Sequence, residues 1–141
     1  KYNSMAVAWG SVGNMWNLPF VMVVVRPSRY TYEFMNASSD FTLCGFSEEY
    51  RKALNLLGTK SGRDGDKIME SGLTAIKAEK VSAPVFKEAD LLIECNKIYF
   101  QDYDPTHFID TRIDKNYADK DYHRMIFGEI AAVRGVEEKY T

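Results

Sequence analysis

Two cysteines, Cys44 and Cys95, are all that this 141-residue chain holds, and neither belongs to a CxxC pair or a cysteine–histidine cluster. Each sits in an apolar, strand-like run, so two free buried thiols are expected, and neither a disulfide framework nor a zinc site has support. Histidine is as scarce: His107 and His123 stand far apart, with no carboxylates at ligand spacing, which argues against a metal centre. The longest apolar run covers residues 18–25, is interrupted by Pro19 and is far too short to cross a bilayer. Nothing at the start of the chain resembles a signal peptide, so a cytoplasmic protein is expected. No Gly-x-Ser-x-Gly motif supports acyl transfer, and no Gly-Lys-Ser/Thr ending or EF-hand spacing supports nucleotide hydrolysis or calcium binding. The Gly-x-Gly-x-x-Gly fingerprint of a resident dinucleotide is missing too. A net charge of −2 leaves no bulk electrostatic reason to expect a nucleic-acid or membrane partner.

What the chain does contain is an ordinary globular composition, 45% hydrophobic and 27% charged, in a length that suits one domain with its own core. Small and large apolar groups alternate over residues 4–9, and residues 20–26 are rich in β-branched side chains; both read as strands, with 10–17 as the loop between them. Residues 30–37 read as a short helix and 41–46 as a strand. Ser47 is a candidate N-cap for a helix in which Tyr50, Ala53, Leu54 and Leu57 share one face and which Gly58 ends. Glycines and charges dominate 59–72, with a short helix expected at 66–70. Strands follow at 76–81, 89–100 and 123–133, separated by a turn at Pro84 and by polar connections. This pattern predicts a mainly β fold, a closed or nearly closed barrel of roughly seven strands with short helical insertions.

The most informative stretch is residues 26–34. Val23, Val24 and Val25 run as buried strand towards Pro27, which stops it, and Ser28 or Thr31 can cap the helix that begins next, whose free N–H groups favour an anion. Arg26 and Arg29 converge there with the hydroxyls of Ser28, Tyr30 and Thr31, the composition of a phosphate seat. The plainer alternative is a solvated helix start in which Arg26 and Arg29 pair with Glu33 or Glu48.

Taken with Asn3-Ser4-Met5-Ala6-Val7-Ala8-Trp9-Gly10 and Ser61-Gly62-Arg63-Asp64-Gly65-Asp66-Lys67, this turn resembles the flavin reductase-like family, the FMN-binding split β-barrels of Greek-key type that include the flavoredoxins. The resemblance runs from Asn3 to Val133. Members of that family usually carry a further strand before the Asn-Ser-Met segment, so residues 1–141 are expected to form a single domain lacking it. The resemblance implies FMN as cofactor, with Arg29, Tyr30 and Thr31, and Ser28 beside them, at its phosphate. It also implies that Ser61, Gly62 and Lys67 face the polar tail, while main-chain groups of Asn3, Ser4, Met5 and Ala6 meet the polar edge of the ring. Fixed donors there would stabilise the negative charge gained near N1 and O2 on reduction. His123 opens a segment similar to the family's closing His-x-x-x-x-Gly-Glu strand, where such a histidine helps to orient the nicotinamide donor. Trp9 and Trp16 suit the apolar edge of the flavin, the core or an interface equally. Plainer readings stand beside these: Met5 in the core, a solvated 61–67 loop, and His123 as a satisfied strand-end histidine.

The implied function is an oxidoreductase in which FMN takes a hydride from NAD(P)H at N5 and passes electrons to a flavin, a metal complex or a protein partner. NAD(P)H is then a transient substrate, and a homodimer is expected whose subunits share the cofactor site. The alternatives are a flavoredoxin-like electron carrier without NAD(P)H activity and a non-catalytic barrel.

Overall fold

The apolar run at residues 18–25 becomes the strand around which the sheet is built. In the computed structural model, which describes residues 1–140, Leu18–Val25 (β2) is bonded on both sides and buried on both faces. Val21, Val23 and Val25 enter the main core, while Phe20 and Val24 are buried on the opposite face. A strand covered on both faces requires such a continuous apolar run. Its neighbours are Gly10–Met15 (β1) and Arg124–Gly135 (β7); β7 pairs with Leu91–Asp102 (β6), and β6 with Asp40–Gly45 (β3). The result is an antiparallel five-stranded sheet of order β1-β2-β7-β6-β3, with a separate ladder of Ala75–Ile76 (β4) and Val85–Phe86 (β5). Short helices complete it: Tyr30–Ala37 (α1), Arg51–Thr59 (α2), Lys67–Ser71 (α3) and Glu137–Tyr140 (α4). The architecture is mainly β with helical insertions, as the sequence predicts, and hydrogen bonds leave β1 and β3 as edges of the ladder. Among the described residues no helix is long and apolar enough to cross a membrane.

The main core joins Val21, Val23, Val25, Met35, Phe41, Ile93, Cys95 and Ile126. Each large aliphatic or aromatic member contributes about 1.5–3 kcal/mol by leaving water. Both thiols are free: Cys44 is half-buried, and burial pushes the Cys95 thiol up to about 12, which makes it inert structure. Packing at the centre is tight because Gly128 has no side chain. A Cβ there would lie 2.6 Å from Phe41 Cε1 and 2.7 Å from Cys95 Cβ, so glycine lets Phe41 cross β7.

The structure corrects the expected elements in four places. Residues 10–17 are not a loop: β1 pairs with β2 through a two-residue turn in which Trp16 and Asn17 both have positive φ, 56° and 57°. These are the backbone angles of a type I′ hairpin, and Trp at its first position hides the usual Asn-Gly signal. The expected strand at 4–9 joins neither sheet. Of the strand expected at 76–81, only Ala75–Ile76 forms, because buried carboxylates take over the loop beyond it: Glu94 accepts from the N–H groups of Glu79 (3.0 Å) and Lys80 (2.6 Å), and Asp40 from those of Ser82 (3.0 Å) and Ala83 (2.9 Å). Ser47 does not cap its helix through its side chain, which donates to Glu49 instead, and α2 runs through Gly58 to Thr59.

Replacing Gly128 by alanine is expected to lower unfolding free energy by about 1–3 kcal/mol, the ordinary cost of overpacking a full core. A urea titration of both proteins measures it, and an unchanged midpoint would mean that Phe41 moves aside freely.

Candidate functional site

Three segments far apart in sequence meet at the start of α1. The Asn3 side-chain N–H donates to Thr31 Oγ at 3.0 Å, and Thr31 is buried beneath the contact. Gly62 packs against both neighbours: a Cβ there would lie 2.5 Å from Asn3 Oδ1 and 3.0 Å from Tyr30 Cδ1, so the 61–65 loop approaches this closely only with glycine. The Tyr30 ring stacks edge-on to Phe34 at 5.0 Å and carries the Arg63 guanidinium 4.6 Å from its centre. Lys1 Nζ donates to its hydroxyl at 3.1 Å. Ala6 lies against Gly58 on α2.

Charge pairing singles out one residue of this cluster. Arg26 pairs with Asp121, Arg51 with Glu48, Arg63 with Glu33, Arg112 with Asp110, Arg124 with Asp102, and Arg134 with Glu79 and Glu94. Arg29 alone among the arginines has no carboxylate among the described residues; its guanidinium makes only a long 3.4 Å contact to the Gly58 carbonyl. Glu33 and Glu48, its expected partners in a solvated helix start, are taken by Arg63 and Arg51. Arg29 is also the N-cap of α1, with extended backbone and no side-chain cap, so neither Ser28 nor Thr31 caps the helix. The start of α1 thus carries free N–H groups and, at its N-cap, a guanidinium without a carboxylate, a combination that favours an anion.

The remaining predicted residues are engaged in different ways. Ser28 Oγ donates to Asp121 at 3.1 Å, and Ser61 Oγ accepts from Arg63 N–H at 3.2 Å, capping the turn that holds Gly62. Lys67 is buried, and its ammonium donates to the Leu57 carbonyl at 2.7 Å and the Lys60 carbonyl at 2.9 Å, closing the C-terminus of α2. Burial, and then the nearby charge of Arg29, pull that ammonium below the ordinary lysine range. Lys67 thus adds positive charge beside Arg29 while its hydrogen bonds serve α2. Met5 packs on the main core, and Ser4 and Met5 help to line a cavity of about 610 Å³ between the N-terminal segment, the sheet, α1 and α2. Trp9 lies 5.1 Å from the His123 ring, whereas Trp16 joins Tyr99 and Phe127 on the sheet, away from this cluster. His107 is exposed beside Asp104.

His123 is buried, and its Nδ1 lies 2.7 Å from the Tyr117 hydroxyl. Burial first, and then the charges of Arg26 and Arg29, hold the imidazole below its ordinary pKa, with Asp121 pulling the other way. The electrostatic influence of Arg29 on both His123 and Lys67 ties this corner to the anion seat. Sequence reasoning missed Tyr117 and Asp121, which it placed only in a connection. Their role depends on Arg26, which reaches Asp121 at 3.0 Å and the Asn116 carbonyl at 2.7 Å across ninety or more positions, as well as covering the Tyr117 ring at 5.0 Å. No local motif encodes that contact.

Against known proteins, the profile of the flavin reductase like domain matches residues 3–141. An uncharacterized protein of Pyrococcus abyssi is 32% identical over 109 residues, which is 76% of this chain and 61% of that protein. Two solved structures are similar: flavoredoxin of Desulfovibrio vulgaris (Miyazaki F), with a TM-score of 0.74 and 26% identity over 96% of this chain and 63% of that one; and flavoredoxin from Methanosarcina acetivorans, with 0.74 and 27% over 96% and 62%. The chain thus spans about three fifths of the length of these relatives.

The depressed pKa of His123 makes folding pH-dependent. The folded state binds fewer protons at this site than the unfolded chain, so the contribution is complete above the ordinary histidine value of 6.5 and is lost as the pH falls below it. Urea midpoints measured through and below that pH should decline in the wild type and decline less in His123→Gln. An identical decline in both would assign the effect to another group.

Proposed function

The chain belongs to the flavin reductase like domain family, and on that premise we propose that it is a flavin-binding oxidoreductase domain, with FMN as its cofactor and NAD(P)H as a transient electron donor. The observation that carries the reading is Arg29: an arginine with no carboxylate, at the uncapped start of α1. The residues suit a phosphate. A guanidinium can bind it through two parallel hydrogen bonds, helix N–H groups add further donors, and Gly62 admits close approach where any Cβ would clash. When bound, FMN would supply hydride acceptance at N5 and onward electron transfer to a flavin, a metal complex or a protein acceptor.

The chain's own residues would then divide the work. Arg29, Tyr30 and Thr31 hold the phosphate, with Ser28 keeping the turn in place through Asp121 and Lys67 adding charge from behind. Ser61 and Gly62 bring their loop against the tail. Asn3, Ser4, Met5 and Ala6 lie outside both sheets, so their main-chain groups remain for the polar edge of the ring, and Asn3 is fixed by its bond to Thr31. Neutral His123, covered by Trp9, orients the donor. The likeness to two flavoredoxins favours a second reading, an FMN electron carrier that does not use NAD(P)H. Oxidation of NADH or NADPH in the presence of excess FMN supports the first; its absence in protein that binds FMN supports the second.

Arg29→Ala removes a charge-assisted contact worth about 1.5–3 kcal/mol, so FMN affinity should fall roughly ten- to a hundred-fold while riboflavin affinity hardly changes. Flavin fluorescence titrations of apo wild type and variant measure both. Equal FMN affinity would remove Arg29 from the site, and equal losses for both flavins would indicate damage to the fold.

A homodimer is part of the same reading. Trp16, Phe20, Tyr99 and Phe127 form a continuous aromatic patch on the sheet, in which Trp16 is 55% and Tyr99 43% exposed. Contiguous apolar surface of that kind is characteristic of an interface. Light scattering at micromolar concentration should give the mass of a dimer for the wild type and of a monomer for Tyr99→Glu. A monomeric wild type would refute the assembly.

A further inference from the structure

Tyr117 is clamped from several sides. Arg26 lies 5.0 Å from its ring centre, Phe108 stacks on it at 6.1 Å with the planes 9° apart, and Tyr122 packs at 4.9 Å. Tyr117 is 5% exposed; the His123 main-chain N–H favours its phenol oxygen as an acceptor, and the acceptor within reach of its hydroxyl among the described residues is His123 Nδ1 at 2.7 Å. Two arrangements of the proton are conceivable in that bond. If Nδ1–H donated to the phenol oxygen, the phenolic hydrogen would be left buried without an acceptor, a cost of about 1–3 kcal/mol. If the phenol donates, both groups are satisfied and the imidazole proton must reside on Nε2. Both groups are neutral in their surroundings. Burial raises the Tyr117 pKa against the pull of Arg26, and burial with Arg26 and Arg29 lowers that of His123 against Asp121. Among the described residues Tyr103 and Asp121 also act on Tyr117, and both push its pKa further up.

We propose that Tyr117 is a positioning residue that locks His123 in the Nε2–H tautomer, leaving one fixed N–H donor on the ring edge opposite Tyr117 for a carbonyl oxygen of a bound redox ligand. The ligand half of this inference rests on the flavin reading above; the tautomer half concerns the chain alone. Donors fixed in this way need no reorganisation when charge develops on the acceptor, which is why a positioned imidazole is useful beside a redox centre. The carbonyl belongs to the flavin ring or to the carboxamide of nicotinamide, and the two are separable.

The test is nitrogen NMR on the full chain with 15N-labelled histidine, above the ordinary histidine pKa and without flavin. There are only two histidines, and exposed His107 serves as an internal reference that should show both tautomers. His123 is expected to show a single Nε2–H form, and Tyr117→Phe, which keeps the ring and removes the donor, is expected to lose it to a mixture. A wild-type Nδ1–H form overturns the inference whatever the variant does, and so does an unchanged Nε2–H form in a folded variant. Adding FMN and then oxidised nicotinamide to the wild type should shift the Nε2–H signal at the first addition for a flavin carbonyl or only at the second for a carboxamide. No shift with either ligand bound overturns the donor role. Failure of FMN to bind, with the tautomer result intact, would instead count against the flavin reading.

Discussion

The site depends on one ion pair. Arg26, at the end of the central strand, reaches Asp121 at 3.0 Å, and both side chains are largely covered, 26% and 18% exposed. Burial works against the Asp121 charge, yet hydrogen bonds from Arg26 and Ser28 hold its carboxyl below the usual carboxylate range. The contact does three things at once. It ties the 28–31 turn to the segment before β7, it occupies Arg26, the other arginine of that stretch, and it seats the Tyr117 ring. It also reinforces the β2–β7 pairing that ends at Val25 and Arg124 beside it, and a partly covered pair is costly to break on one side because the other charge remains.

The same allocation of charge explains why Arg29 stands out. Carboxylates in this chain are mostly committed, either to arginines or to main-chain N–H groups. Glu94, fully buried, accepts from Glu79, Lys80 and Arg134; burial disfavours its charge, but those three donors keep it ionised. Asp40, two positions along β3 from Thr42, the cross-strand partner of Glu94, accepts from Ser82 and Ala83. Together they hold an irregular loop against the sheet where a ladder would otherwise be needed. Among the described arginines the one left without a carboxylate is Arg29, with Lys67 behind it and an uncapped helix in front.

Much of this was legible in the sequence where the signal is local. The apolar run of β2, the helix at 30–37, the short helix near 66–70 and the two inert thiols each follow from composition and spacing. The resemblance of three short motifs to a flavin family names Asn3, Tyr30, Thr31 and Gly62 together, and in the fold Asn3 bonds Thr31 at 3.0 Å while Gly62 packs beside Asn3 and Tyr30. The rest was hidden for identifiable reasons. β1 escaped because a turn with two positive φ angles was built from Trp16 and Asn17, and the strand at 76–81 was overpredicted because the carboxylates of Glu94 and Asp40, about fifteen and more than forty positions away, satisfy its loop. The partners of Arg26, Arg63 and Arg134 lie thirty or more positions distant, beyond any pattern a linear reading detects.

Arg29 and His123 are coupled through charge, and that coupling gives the corner its logic. Burial first, then Arg26 and, as a smaller contribution, the guanidinium of Arg29 keep the imidazole neutral, and a neutral imidazole whose Nδ1 is engaged by Tyr117 has one hydrogen to offer. An anion seated on Arg29 would cancel part of the opposing charge and raise the proton affinity of His123. By linkage, protonation of His123 would then favour the anion by the same free energy. On the proposed reading anion seat and donor are electrostatically linked, and the Arg26–Asp121 pair holds the turn of Arg29 against the segment that leads into His123.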